Sequence, residues 1–200
     1  MWEEGSRKDI VPFIKKFIPP GSSICDLGCG DGIGSEKLAD AGYHVKGIDV
    51  SEGMLEKAKQ NPRNERVVFI KANLTECGIP DSSFNAVMAI NSIEWTNSPY
   101  AALKEIARIV TSGGFACIGI LGPTAGPREN SYRRLYGEEV ICNTMMPWEL
   151  EKLAIENGWK KAGEFGVYKK TAAQLPLGSL PTDLQQSLSF MWVFMFQLSE

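Results

Sequence analysis

Ser23-Ile24-Cys25-Asp26-Leu27-Gly28-Cys29-Gly30-Asp31-Gly32-Ile33-Gly34 decides the fold. Residues 23–27 form a short apolar strand and run directly into a cluster of glycines, after which residues 35–41 are helix formers up to Gly42, a natural stop. Strand, glycine turn and helix in this order open a βαβ unit. The pattern then repeats outward. Residues 44–49 make a second strand ended by Asp49, and Ser51 can cap a helix over 52–60. Residues 66–71 are β-branched and apolar, a third strand. Residues 84–90 make a fourth, and 115–121 a fifth after the turn Ser112-Gly113-Gly114. Between the last two, Leu103, Ile106, Ala107 and Val110 recur at helical spacing. Strands separated by helices of about ten residues imply right-handed crossovers and a mostly parallel, doubly wound α/β sheet covered on both faces.

After Leu121 the rhythm changes. Residues 122–146 are a glycine- and proline-punctuated stretch, long enough to predict a functional loop or lid. A helix is expected over 147–157, then two strands at 159–168 and 188–198. The last alternates Phe190, Trp192, Phe194 and Phe196, which predicts an antiparallel strand of the same sheet.

Composition bounds the function. The chain has 200 residues, 44% hydrophobic and 22% charged, which predicts one globular domain over 1–200. Its net charge is −3 and no basic run exceeds two residues, so nucleic acid is not an expected partner. The longest apolar run, 190–196, is too short for a membrane helix, and the acidic start lacks an apolar leader segment; a cytoplasmic protein is expected. Five cysteines without a Cys-x-x-Cys pair, and one histidine, give no metal site and predict reduced, non-catalytic thiols. His44 begins its strand, about 16 Å from the ligand edge at roughly 3.3 Å per residue, too far to serve as a base.

The glycines fall at 28, 30 and 32, and Ile33 stands where a dinucleotide fingerprint needs its third glycine. A carboxylate, Asp26, precedes them. An acid there repels a diphosphate and favours a cationic ligand. Asp49, twenty-one residues after Gly28, admits two readings: a helix cap, or an acceptor for a ribose 2′,3′-diol.

Here the sequence resembles the class I S-adenosylmethionine-dependent methyltransferases, through Asp26-x-Gly28-x-Gly30-x-Gly32 and Gly47-Ile48-Asp49-Val50-Ser51 followed by Met54. The resemblance runs from about residue 22 to 121. It implies a Rossmann-like seven-strand sheet whose last strand is antiparallel and inserted beside the fifth, with S-adenosyl-L-methionine as cofactor. It places Gly28, Cys29 and Gly30 under the methionine part, Asp26 near the ammonium group, Asp49 on the ribose, and Val50 and Met54 on the adenine. Asn73, beside Leu74, stands where an aspartate is usual and would accept from the adenine amine through its carbonyl. Asn91 and Ser92 line the sulfonium and the acceptor.

Glu94 stands where small-molecule members often carry histidine. It admits three readings: a general base, a ligand for a cationic acceptor, or a solvated loop acid. Trp95 can stack on the acceptor or simply pack. Trp2, Gly5, Ser6 and Arg7 read as a short lid over the cofactor carboxylate, against an ordinary frayed end. Arg128, Tyr132, Arg133, Arg134 and Tyr136 form a basic-aromatic cluster, read as a substrate-facing lid against a solvated helix face. The expected activity is methyl transfer to a small-molecule acceptor by in-line displacement, in a monomer or homodimer. The competing readings are a non-catalytic binder of the cofactor and a nicotinamide-dependent oxidoreductase, which Asp26 and Ile33 oppose.

Overall fold

The strand-forming segments are apolar on alternate or all positions because both faces of the sheet are covered. A computed structural model describes residues 1–60 and 64–199. Seven strands form one sheet in the order β3-β2-β1-β4-β5-β7-β6: β1 (Ser23–Leu27), β2 (His44–Asp49), β3 (Val67–Lys71), β4 (Phe84–Ile90), β5 (Val110–Leu121), β6 (Trp159–Val167) and β7 (Met191–Leu198). The first five are parallel, and β7 runs antiparallel to both its neighbours. Strand order reverses between β1 and β4, so the segments leaving those two strands flank the switch point where α/β proteins bind ligands.

The helices are α1 (Ile10–Ile14), α2 (Ile33–Asp40), α3 (Glu52–Gln60), α4 (Pro99–Ile109), α5 (Pro147–Glu156) and α6 (Thr182–Ser187). On one face, Leu103 and Ile106 of α4 and Leu150 and Ala154 of α5 cover Val87, Ile118 and Phe194. On the other, Ile10 and Ile14 of α1 and Leu38 of α2 cover Ile24, Met88 and Val193. The two helices α1 and α6 carry no expectation from the sequence. They are short, and the three buried residues of α1, Ile10, Phe13 and Ile14, give too few repeats to establish a helical period.

Three boundaries differ for local reasons. The helix after the glycine turn starts at Ile33, not 35, because Gly32 turns the chain in a left-handed conformation (φ 78°) and α2 begins immediately. The expected turn at 112–114 is an irregularity inside β5: Val110 pairs with Phe84, and regular pairing resumes at Phe115 with Ala86. The last strand starts at Met191, since the Leu188 N–H still donates to the Leu184 carbonyl of α6.

Strand β7 is buried on both faces. Trp192, Phe194 and Phe196 enter one core and Met191, Val193 and Met195 the other. Phe194 is fully buried and stacks on Phe196 with ring centroids 5.0 Å apart. Truncation there leaves a cavity in a core packed on both faces of the strand. Phe194→Ala is expected to lower unfolding free energy by about 3–5 kcal/mol in urea titration; a loss below about 1 kcal/mol is incompatible with this packing.

Candidate functional site at the carboxyl edge of the sheet

The glycine turn is latched to the end of β2 by backbone bonds. The N–H groups of Gly28 and Cys29 both donate to the Ile48 carbonyl (2.8 and 2.9 Å). One residue on, the Gly30 N–H donates to Asp49 Oδ2 (2.9 Å) and the Ser51 N–H to Asp49 Oδ1 (2.8 Å). Asp49 therefore clamps the turn and also fixes the entry into α3. Gly28 (φ 78°) lies against the segment leaving β4, where an added Cβ would come within 2.4 Å of Ser92 Cβ. Gly30 (φ 56°) is different: its Cβ position meets nothing within 4 Å and opens into free space.

Beyond Asp49, Val50, Asn73, Leu74, Thr75 and Trp95 line a cavity of about 190 Å³. The sequence expectation for Asn73 is corrected in detail. Its Oδ1 already accepts from the Thr75 N–H (3.1 Å) and Thr75 Oγ1 (3.0 Å), so the side chain presents its amide donors rather than its carbonyl. Met54 is exposed on α3 and does not line this cavity. Trp95 is 40% exposed, a wall of the cavity rather than core packing.

Two acids behind the turn are buried. Asp26 is 3% exposed and its Oδ2 accepts from Ser35 Oγ at 2.6 Å. Burial pushes it to about 7, only partly offset by the Ser35 bond and the Arg7 charge. Glu94 is 1% exposed, which excludes the solvated-loop reading. Its Oε1 accepts from the Leu121 N–H at 2.9 Å, and Oε2 has no partner among the described residues. Burial again raises it to about 7, against the Leu121 bond and the charges of Arg128 and Arg7. Asn91 Oδ1, Ser92 Oγ and Arg7 Nε are also buried without partners among the described residues, and Asn91 sits in a left-handed conformation (φ 52°). Unsatisfied buried polar atoms are costly in a core. Three of the four, on Asn91, Ser92 and Glu94, lie on the segment leaving β4.

The N-terminal segment folds over this edge. Trp2 packs on the first turn of α2, where a Cβ at Gly34 would come within 2.5 Å of its ring, and the Arg7 guanidinium lies 5.5 Å from the Trp2 ring. Both line a cavity of about 360 Å³ with Asp31, Ile33 and Lys37.

The basic-aromatic cluster divides. Arg128 turns inward: its Nη1 donates to the carbonyls of Leu121 (3.2 Å) and Met145 (3.0 Å), joining the two ends of the 122–146 segment. Tyr132 and Tyr136 stay exposed on a 3₁₀ helix, Gly126–Tyr136, with hydroxyls 3.0 Å apart and rings edge to face. Tyr136 lines neither cavity described so far, and Arg133 is paired with Glu138. Sequence reasoning missed Ser35, Thr75 and Asn143, whose N–H donates to the Glu94 carbonyl. Each acts through a partner distant in sequence or through a turn with no motif of its own. All five cysteines are free and buried, and no metal-binding cluster occurs among the described residues.

Residues 25–118 match the methyltransferase domain family. With the seven-strand order and the glycine turn, this segment is similar to the class I S-adenosylmethionine-dependent methyltransferases. Among curated proteins, the demethylmenaquinone methyltransferase of Renibacterium salmoninarum is 35% identical over 123 residues, 61% of this chain and 49% of that protein. The chain spans about half the length of the curated relatives it matches. Among solved structures, a chain from the complex of the Haloferax volcanii Trm112 methyltransferase activator with a methyltransferase superposes with TM-score 0.74 at 17% identity, covering 98% of this chain and 89% of that one. A Methanosarcina mazei S-adenosylmethionine-dependent methyltransferase gives 0.73 at 20% identity, covering 94% and 98%. At these identities the likeness is one of fold.

The two raised acids give a pH signature. Glu94 holds its proton to about 7 when folded, against an ordinary 4.5, so the native state binds the extra proton between those values. Stability therefore falls as pH rises through that window and levels off above 7, with a limiting slope of about 1.4 kcal/mol per pH unit for each such group. Asp26 contributes in the same direction, from 3.8 to about 7. Urea midpoints measured from pH 5 to 8 should fall less steeply in Glu94→Gln than in the wild type; equal slopes would remove Glu94 from the account.

Proposed function

We propose that the protein transfers a methyl group from S-adenosylmethionine to a small-molecule acceptor by in-line displacement. The observation that carries this is the row of unpartnered polar atoms on Asn91, Ser92 and Glu94, set against the glycine turn at the switch point of the sheet. The residues present fit the cofactor. Open space at Gly30 admits its backbone-like methionine part, and the cavity behind Val50, Leu74 and Trp95 suits a flat base.

In this reading Asp49 holds the ribose diol, Asp26 faces the ammonium group, and Val50, Leu74 and Asn73 hold the adenine, with Trp95 across it. Gly28, Cys29, Asn91 and Ser92 frame the methionine part. Bound there, the cofactor supplies a methyl carbon activated by the sulfonium charge. The protein's share is alignment, which can provide about 7–11 kcal/mol of the barrier. Where the acceptor carries a proton, Glu94 receives it at Oε2. A carboxyl poised near 7 is matched to proton transfer at neutral pH. The Leu121 N–H fixes the other oxygen and so aims the free one. Segment 122–146, pinned at both ends by Arg128, serves as the lid of one domain comprising the chain.

Calorimetric titration with S-adenosylhomocysteine, with NADH in parallel, tests the reading. Micromolar binding of the first alone is expected, and binding of NADH alone would overturn it. Asp49→Ala is expected to weaken S-adenosylhomocysteine binding at least about tenfold, by removing two charge-assisted bonds. Unchanged affinity would withdraw the ribose assignment.

A further inference from the structure

A second concave region opens along the segment that follows Leu121. It has a volume of about 820 Å³ and is lined by the 123–135 segment, Thr144 and Lys169. Four cations, Arg128, Arg133, Arg134 and Lys169, line it against one carboxylate, Glu129. This stands out in a chain whose net charge is −3. Of these, Arg133 alone forms an ion pair among the described residues, with Glu138. Arg134 donates to the Ser131 carbonyl and hydroxyl and has no carboxylate within ion-pair distance among the described residues; nor has Lys169. Arg128 and Arg134 also repel one another: burial lowers the Arg128 pKa, and the Arg134 charge lowers it further. Positive charges that outnumber the carboxylates around a cavity favour an anionic occupant.

Leu121 links this cavity to Glu94 through its backbone. The Leu121 carbonyl accepts from Arg128, which lines the cavity, while the Leu121 N–H donates to Glu94. We infer that the methyl acceptor is an anion whose carboxylate or phosphate group is held by Arg134 and Lys169 in this cavity, beside Tyr132, with its reacting atom directed past Leu121 toward Glu94. The inference rests on the methyl-transfer reading and adds the charge of the substrate. A group seated there pairs with cations that have no carboxylate partner among the described residues, and the exposed Tyr132 ring offers an apolar surface to the remainder of the molecule. The ligand is a small molecule because the charge is confined to one concavity of a size that suits such ligands.

The test uses the full chain saturated with S-adenosylhomocysteine, titrated separately with phenyl phosphate, benzoate and neutral benzamide. At least one anion is expected to bind tenfold or more tightly than benzamide, and the stronger of the two distinguishes phosphate from carboxylate. Lys169→Gln, at an exposed side chain without a hydrogen bond among the described residues, should weaken that binding at least threefold. The double variant Arg134→Gln/Lys169→Gln should weaken it at least tenfold, with S-adenosylhomocysteine affinity unchanged. Equal binding of benzamide and the anions, or full retention in the double variant, overturns the inference while leaving the cofactor reading intact. Anion binding without S-adenosylhomocysteine binding overturns the acceptor assignment together with the cofactor reading.

Discussion

The carboxylate of Asp49 holds the functional edge of this protein together. One oxygen takes the Gly30 N–H and the other the Ser51 N–H, so a single side chain ties the turn after β1 to the start of α3. The neighbouring Ile48 carbonyl takes two further N–H groups of the same turn. A carboxylate offers about four lone-pair directions, of which the backbone uses two. The remaining two can meet a vicinal diol without releasing the turn. The cap reading and the ribose reading of this acid are thus compatible: the residue that shapes the pocket keeps capacity for the ligand.

Behind that clamp, two carboxyl groups experience similar burial and differ in what surrounds them. Asp26 is satisfied by Ser35 and faces the turn, while Glu94 is half satisfied by Leu121 and keeps one oxygen bare. Arg7 exerts its charge on both, from a segment that crosses from the N-terminus to the switch point. The site is therefore built with unspent hydrogen-bonding capacity, which a protein tolerates where a ligand or reaction uses it.

The parallel half of the sheet was legible because its signals are local. Strand, glycine turn, helix and a terminal acid follow one another within 27 residues, from Ser23 to Asp49. The aromatic alternation of β7 pointed to an antiparallel strand, but its place beside β5 was legible only through the family resemblance, since alternation cannot name a neighbour. Its penultimate place explains why the intervening Met191, Val193 and Met195 are as buried as the aromatics. Among the candidate residues, Gly28, Gly30 and Asp49 meet at one turn because β1 and β2 are adjacent parallel strands. The environment of Glu94 was not legible: its burial depends on Leu121 and Asn143, 27 and 49 residues away. Arg128 looked like its neighbours in sequence, yet carbonyls at both ends of the 122–146 segment draw it inward.

The place of β7 between β5 and β6 sets an order for synthesis. When the ribosome has released the first five strands, the free edge of β5 is an unpaired row of backbone groups 12 residues long. Strand β6 emerges next but cannot cover it, because its partner is β7. Only when residues 191–198 leave the exit tunnel are both strands paired, β5 through contacts spanning 70 to 82 residues. Until then the growing chain carries an exposed, strongly apolar strand edge, the feature through which nascent chains associate and which chaperones shield.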